Sequence, residues 1–236
     1  FTMYRDSKSN GANFDDPANF GVYRGSGNSW TFVRTVAGIR VQSIRDIDIS
    51  NNNPCVLVPV NVGVQSGRYV FQITLPIIDQ NYLISFQRCC RNNTVLNLVD
   101  PGGTGAAFTT EITAEAQKTC NNSPTFTNFP PVVICVNRPI NFNHSATDID
   151  GDSLVYEFCA PLTAGGTDGA TTPGSPTSCT GVTPSPQTCI PPYNEVTFLA
   201  PNFSFSRPMA GNPVVTINDQ TGIIEGSPNI LGQYVV

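Results

Sequence analysis

The feature that most constrains the fold is a succession of short segments in which apolar and polar residues alternate. In residues 68–75, every second residue from Tyr69 to Leu75 is large and apolar. This is the period of a β-strand with one buried face. We therefore predict a strand here. Comparable segments predict further strands at 20–24, 30–36, 39–49, 82–87 and 108–116.

The residues between these segments favour turns. The chain contains 20 glycines and 20 prolines, and only 12% of its residues are charged. Clusters such as Gly25–Gly27 and Pro101–Gly103 interrupt the alternating segments at strand-like intervals. Only residues 111–118 could be interpreted as a helix, and the threonine-rich sequence that leads into them favours a strand instead. The sequence therefore predicts an all-β protein.

A change of composition near Cys120 suggests two domains. Residues 121–131 contain three prolines, which disfavour a helix and a central strand, so we expect an extended linker or an edge strand. We predict two tandem immunoglobulin-like β-sandwich domains, the first at 1–120 and the second at 121–236. Strands of the second domain are predicted at 132–136, 140–143, 154–158, 196–199, 214–218 and 234–236.

One long segment of the second domain lacks the residues of a core. Residues 160–192 are rich in Thr, Gly, Pro and Ser and contain few large apolar side chains. We expect a surface loop that contributes nothing to a core. Cys179 and Cys189 lie in it, and a bond between them would restrain the loop locally.

Eight cysteines without a CxxC pair or a Cys/His cluster indicate disulfides and an exported protein. We expect all eight to be oxidised, with no bridge between the two halves. Cys89 and Cys90 are adjacent in a predicted strand, so their side chains should face opposite sides and take different partners. Cys55 is the preferred partner for one of them, and Cys120 is a candidate for the other.

In the second half we expect one bridge between Cys135 and Cys159 and another between Cys179 and Cys189.

The charge pattern excludes one class of partner. The net charge is −5, and Lys8 and Lys118 are the only two lysines. A nucleic-acid partner is not expected, because the basic patch that such proteins use is missing.

The longest apolar runs are too short to span a bilayer, so this segment should not insert into a membrane. Both ends resemble cuts through a longer polypeptide, and any signal or sorting segment would lie beyond them.

The segment 145–159 carries three carboxylates on alternate residues, Asp148, Asp150 and Asp152. Hard oxygen ligands at this spacing suit Ca²⁺, and Gly151 permits a sharp turn between them. The glycine position and Cys159 at position twelve depart from the EF-hand pattern. We predict a calcium site, and the alternative is a solvated turn that leads into a strand.

A catalytic set is not recognisable in the sequence. His144 is the only histidine, and no GxSxG or HExxH motif supplies it with partners. We interpret it as a structural residue beside the acidic segment and predict that the protein is not an enzyme.

Four segments, YRD at 4–6, YLISFQRCCRNNT at 82–94, residues 121–159 and INDQTGIIEGSPNILGQYVV at 217–236, carry a family resemblance. The chain resembles the large surface proteins that Bacteroidota export by the type IX system, often described as gliding-motility-associated or type B sorting-domain proteins. The resemblance implies a modular extracellular protein with immunoglobulin-like or cadherin-like repeats. It also implies O-glycosylation at Ser153, within an Asp-Ser-Leu pattern, as a competitor of calcium in the same segment.

The function we expect is a structural or adhesive module of such a surface protein or filament, located at the cell surface or outside the cell. Its partners would be neighbouring domains or subunits of the same protein, and surface glycans or protein ligands. The alternative is an accessory or stalk module of a secreted enzyme. A third class, a carbohydrate-binding module, would need an exposed aromatic row, for which Tyr4, Tyr23 and Trp30 are the candidates.

Overall fold

The computed structural model describes residues 1–8, 11–47, 63–128, 133–166 and 179–236, and this part of the chain is almost entirely β-structure and loops. Its first seven strands are β1 Thr2–Asp6, β2 Ala18–Ser26, β3 Ser29–Arg40, β4 Arg45–Asp46, β5 Val64–Val70, β6 Asn81–Arg88 and β7 Ala106–Ile112. One short helix follows, α1 Ala116–Thr119. The remaining strands are β8 Thr125–Phe126, β9 Ile140–Asn143, β10 Ala146–Thr147, β11 Leu162–Thr163, β12 Asn194–Glu195, β13 Thr216–Ile217 and β14 Ile223–Gly226. The all-β prediction is confirmed.

The main sheet has nine strands in the order β1-β5-β3-β2-β6-β7-β11-β12, and β4 pairs with β5. Its centre is the hairpin of β2 and β3, in which Ser26 pairs with Ser29 around a two-residue turn. Gly27 has a φ of +55° in this turn, a conformation that favours glycine. The predicted strands at 20–24, 30–36 and 82–87 all lie in this sheet.

Two apolar clusters pack on this sheet. Phe14, Ala18, Phe20, Tyr69 and Phe86 form the first cluster, and the ring of Phe1 contacts three of them. Val22, Val36 and Tyr82 form the second, against which Phe71, Ile73 and Leu75 pack. The alternation in residues 68–75 therefore marks burial as predicted. The strand itself is shorter, because β5 ends at Val70.

The prediction that residues 160–192 form a surface loop is wrong for the described part of that segment. β11 pairs with both β7 and β12, so this segment extends the main sheet. A third apolar cluster contains Ala107, Ala164, Cys179, Cys189 and Tyr193. Small side chains and a disulfide fill a core here without the large aliphatic residues on which the prediction depended. Residues 167–178 lie outside the described part of the chain.

A buried polar network holds this segment against the main sheet. The Nε2 of Gln87 donates hydrogen bonds to the hydroxyl of Tyr193 at 2.6 Å, to the hydroxyl of Tyr23 at 2.9 Å and to the carbonyl of Cys189 at 3.1 Å. The Tyr23 hydroxyl donates in turn to the carbonyl of Pro186 at 2.7 Å. Buried polar atoms need such partners, and these link β2 and β6 to residues 186–193.

The second half contains smaller sheets. Strands β13, β14 and β9 form a three-stranded sheet in that order, and β8 pairs with β10. The predicted strand at 140–143 is confirmed as β9, and β13 covers part of 214–218. Residues 154–158, 196–199 and 234–236 are not strands, although single bridges join Leu98 to Phe198 and Val95 to Gln233. Within 111–118, the first two residues belong to strand β7 and only residues 116–118 are helical, as part of α1.

The pairing of β7 with β11 crosses the domain boundary predicted at residue 121. Part of the predicted second domain therefore belongs to the sheet of the first. The division into two immunoglobulin-like sandwiches stays a prediction. In the described part of the chain, no helix has the length and apolarity needed to span a bilayer.

Two disulfides are present among the described residues. Cys179 is bonded to Cys189, as the sequence predicts. Cys89 is bonded to Cys90, so the prediction that these neighbours take different partners is wrong. The physical reason is that β6 ends at Arg88, and the alternation of faces that applies within a strand does not apply to the next two residues.

The other predicted pairings have different outcomes. Cys55 lies outside the described residues. Cys120 is exposed and is not bonded to Cys89 or Cys90. Cys135 and Cys159 line one groove. The predicted bridge between them is absent, because Cys159 is a free thiol, and the free thiols of Cys120 and Cys159 contradict the expectation that all eight cysteines are oxidised.

Candidate functional site: an apolar groove beside the three-stranded sheet

A groove of about 690 Å³ lies beside the sheet β13-β14-β9. Apolar side chains dominate its surface. Pockets that bind partners typically combine such walls with a few polar groups. The lining residues are Val133, Ile134, Cys135, Arg138, Pro139, Ile140, Asn141, Phe142, His144, Glu157, Phe158, Cys159, Pro161, Met209, Ile217, Ile224 and Val236.

One wall of the groove is a row of apolar residues that runs across the sheet. Ile217 pairs with Ile224, and Ile224 pairs with Phe142, so the three residues lie on the same face of neighbouring strands. One residue before Phe142 in β9, Asn141 pairs with Glu225 of β14. The Asn141 Nδ2 donates a hydrogen bond to the Glu225 Oε1 at 2.6 Å. The sheet therefore has an apolar row along the groove and a polar pair in the next register.

The opposite wall is the segment that carries Phe158 and Cys159. Tyr156 anchors this segment, because its N–H donates to the carbonyl of Asp219 at 2.9 Å. Its hydroxyl also accepts a hydrogen bond from the N–H of Ala146 at 3.0 Å. Gly222 is required beside this ring, since it has a φ of +69° and a Cβ there would lie 2.9 Å from the Tyr156 ring. The wall is thus held at two points although it forms no strand.

Four polar side chains lie along the groove, namely Arg138, Asn141, His144 and Glu157. The His144 ring stacks on Phe126 with 4.2 Å between ring centroids. Burial lowers the pKa of His144 below its ordinary value, so its imidazole is neutral at pH 7. The geometry agrees with the expectation that His144 packs against its neighbours.

No protein-family model, curated protein or solved structure matches the chain. The function of the groove is therefore argued from its own residues.

The acidic segment lies near the groove, and its carboxylates serve the local backbone. The Asp148 Oδ1 accepts the N–H of Asp150 at 2.8 Å and the N–H of Asp152 at 3.3 Å. The carboxylate of Asp150 accepts the N–H of Asn122 at 2.6 Å and its Nδ2 at 3.1 Å. Gly151, with a φ of +82°, supplies the turn that the sequence predicts.

The donor chemistry of this segment suits Ca²⁺, and two of its carboxylates accept hydrogen bonds from backbone N–H groups. Within the described residues, no three His, Cys, Asp or Glu side chains are grouped as metal ligands. Asp148 is instead the cap of the turn, and Asp150 ties the turn to residue 122. The calcium site stays a prediction, as does glycosylation of Ser153, whose residue is exposed.

The three aromatic candidates for a sugar-binding row do not form an exposed row, because Tyr23 is fully buried. Sequence reasoning also missed the groove. Its lining comes from segments that are far apart in the chain, and the signals for them were the predicted strands at 132–136, 140–143, 154–158 and 214–218. No pattern in the sequence indicated that 133–139 and 157–161 would meet the strand at 140–143.

Proposed function

We propose that the chain is a non-enzymatic structural or adhesive module of a large extracellular bacterial surface protein. In this proposal the apolar groove binds an extended, apolar segment of a neighbouring domain or subunit of the same protein. The observation that carries the proposal is the row of Phe142, Ile224 and Ile217 along an open groove. A concave groove with apolar walls and a few polar groups is typical of binding sites.

The shape of the groove favours an extended partner. The row of apolar residues crosses three strands, and β9 and β13 are the outer strands of their sheet. An extended segment that lies along an outer strand presents every second side chain to the same face. Such a segment would place alternate apolar side chains against Ile140 and Phe142, which themselves alternate with polar residues in β9.

The disulfides support an extracellular location. Bridges such as Cys179–Cys189 persist in oxidising environments and are rare in the cytosol of mesophiles. The acidic segment extends the proposal, because Ca²⁺ bound by Asp148, Asp150 and Asp152 would stiffen the backbone next to the groove. An O-glycan on Ser153 is the competing proposal for that segment.

Sedimentation velocity tests the proposal with this chain and the flanking domains that the same gene encodes. We expect a complex that Phe158→Asp weakens at least about tenfold, because a carboxylate would be buried in an apolar groove. Val155→Asp is the matched control, since Val155 lies three residues away and is 71% exposed. Equal binding by the two variants, or the absence of any complex, would contradict the proposal. A protease or glycosidase domain in the flanking sequence would favour the accessory module of an enzyme instead.

A further inference from the structure

The Cys89–Cys90 disulfide lies where three segments of the chain meet. It directly follows β6 and contacts the glycine turn after β11 and the loop closed by Cys179–Cys189. A Cβ at Gly165 would lie 3.1 Å from the Cys89 Cβ and 2.8 Å from the Gly181 carbonyl oxygen. Glycine at position 165 therefore lets the three segments approach closely.

Hydrogen bonds connect the two disulfides. The N–H of Cys89 donates to the carbonyl of Val182 at 2.8 Å, and Val182 lies within the loop closed by Cys179–Cys189. Two residues before Cys89, the Nε2 of Gln87 donates to the carbonyl of Cys189 at 3.1 Å. The end of β6 thus holds the loop 179–189 at its middle and at its end.

The two disulfides differ in their access to solvent. Cys179 and Cys189 are both 0% exposed. Cys89 is 5% exposed, whereas Cys90 is in the exposed class. Thiol–disulfide exchange needs a thiolate to reach a sulfur atom, so the exposed residue Cys90 is the side from which an external thiol approaches the Cys89–Cys90 bond. The Cys179–Cys189 bridge can be reached only after its core cluster opens locally.

From this difference we infer that Cys89–Cys90 is a thiol-exchange site for an external dithiol, and that its reduction releases the loop 179–189 from the end of β6. This inference goes beyond the proposed function and does not depend on the groove. It assigns the exposed disulfide a chemical role and leaves the buried disulfide as the structural bridge.

The exchange is balanced as follows. A thiolate of the dithiol bonds to the Cys90 Sγ, the Cys89–Cys90 bond breaks, and its electron pair stays on the Cys89 Sγ, which takes up a proton. The second thiol of the dithiol, as its thiolate, then attacks the sulfur of the dithiol in the mixed disulfide. Cys90 leaves as a thiolate and is protonated. The dithiol is oxidised to a cyclic disulfide, and the protein gains two thiols.

The structural consequence follows from the contacts of Cys89. When the bond opens, residues 89 and 90 regain conformational freedom, and the hydrogen bond from the Cys89 N–H to the Val182 carbonyl loses its fixed donor. The loop stays closed by Cys179–Cys189 but loses an anchor at its middle. The mutual hydrogen bonds between Gly166 and Gly181, at 3.0 and 3.1 Å, should then open more often.

Differential alkylation tests the order of reduction. Exposed thiols are first blocked with iodoacetamide, the folded chain is treated with dithiothreitol for increasing times, and N-ethylmaleimide then labels the newly released thiols for peptide mass spectrometry. We expect Cys90 to be labelled at least about tenfold faster than Cys179, the ratio that corresponds to about 1.4 kcal/mol of local opening. Equal rates, or earlier labelling of Cys179, would overturn the inference.

Hydrogen exchange tests the coupling. After selective reduction, exchange at the amides of Gly166 and Gly181 should rise, while exchange in β2 and β3 should stay unchanged. The double variant Cys89→Ala/Cys90→Ser should show the faster exchange without any reductant and should not respond further to dithiothreitol. Unchanged exchange in the selectively reduced chain would refute the release of the loop, even if the double variant fails to fold.

Discussion

The hydroxyl of Tyr23 offers a direct test of how the segment 179–195 is held in the core. Tyr23→Phe removes one proton shared between the carbonyls of Pro186 and Cys189, at 2.7 and 3.1 Å, and one acceptor for the Gln87 Nε2 at 2.9 Å. We count two net hydrogen bonds, because a single proton serves both carbonyls. At about 1 kcal/mol for each bond, the expected loss of folding free energy is about 2 kcal/mol. For a chain of this size, that loss lowers Tm by about 4–8 °C.

Tyr69→Phe is the matched control for this variant. Tyr69 is also fully buried in the main sheet, and its hydroxyl donates one hydrogen bond, to the carbonyl of Asp15 at 2.6 Å. It should cost about half as much. Calorimetry gives Tm, and hydrogen exchange at the Thr188 and Cys189 amides, both bonded to the Ser185 carbonyl, localises the effect. Faster exchange at these amides is expected for Tyr23→Phe only. If Tyr23→Phe costs no more than Tyr69→Phe, or leaves that exchange unchanged, the network does not hold the segment.

Two further predictions concern bound calcium and alkaline pH. If the acidic segment binds Ca²⁺, calcium at ten times its dissociation constant should stabilise the chain by about 1.4 kcal/mol relative to EDTA in thermal unfolding. Asp150→Ala should abolish this gain, and the exposed-site control Asp79→Ala should keep it. Equal responses of the two variants would mean that the segment is only a solvated turn. Burial raises the pKa of Tyr23 and Tyr193 above the ordinary value, so both phenols stay protonated in the folded chain. In the unfolded chain the same phenols ionise at about pH 10. The resulting stability is fully present below that pH and falls above it. Absorbance at 295 nm should show these two phenols ionising only as the chain unfolds, and early ionisation of all tyrosines would contradict their burial.

The sequence predicts the centre of the main sheet well. In β2 and β6, short runs rich in apolar residues are bounded by turns, and both strands are buried on both faces over most of their length and form long antiparallel pairings. Residues 154–158 show the limit of this reasoning. Leu154, Tyr156 and Phe158 are half-buried and their neighbours are exposed, as predicted, yet the segment is not a strand. Alternation in the sequence predicts which side chains are buried. It does not predict whether a neighbouring strand lies close enough to pair with the segment.

The error in 160–192 has a physical cause that the sequence does not show. The prediction treated the segment as isolated, whereas its structure depends on distant contacts. The loop 179–189 enters the core because Gln87 and Tyr23 satisfy its carbonyls, and neither partner can be recognised from the loop itself. The apolar groove has the same property, since Phe142 and Phe158 meet only after the chain has folded.

Site-specific photo-crosslinking in the intact protein tests the central claim most directly. A photoreactive phenylalanine analogue at position 158 would lie in the groove, and the same analogue at exposed position 155 serves as the control. The account predicts that position 158 crosslinks to an alternating apolar segment of a neighbouring domain or subunit, and that position 155 does not. Crosslinks from position 158 that are confined to its own groove walls, or that match those from position 155, would contradict it.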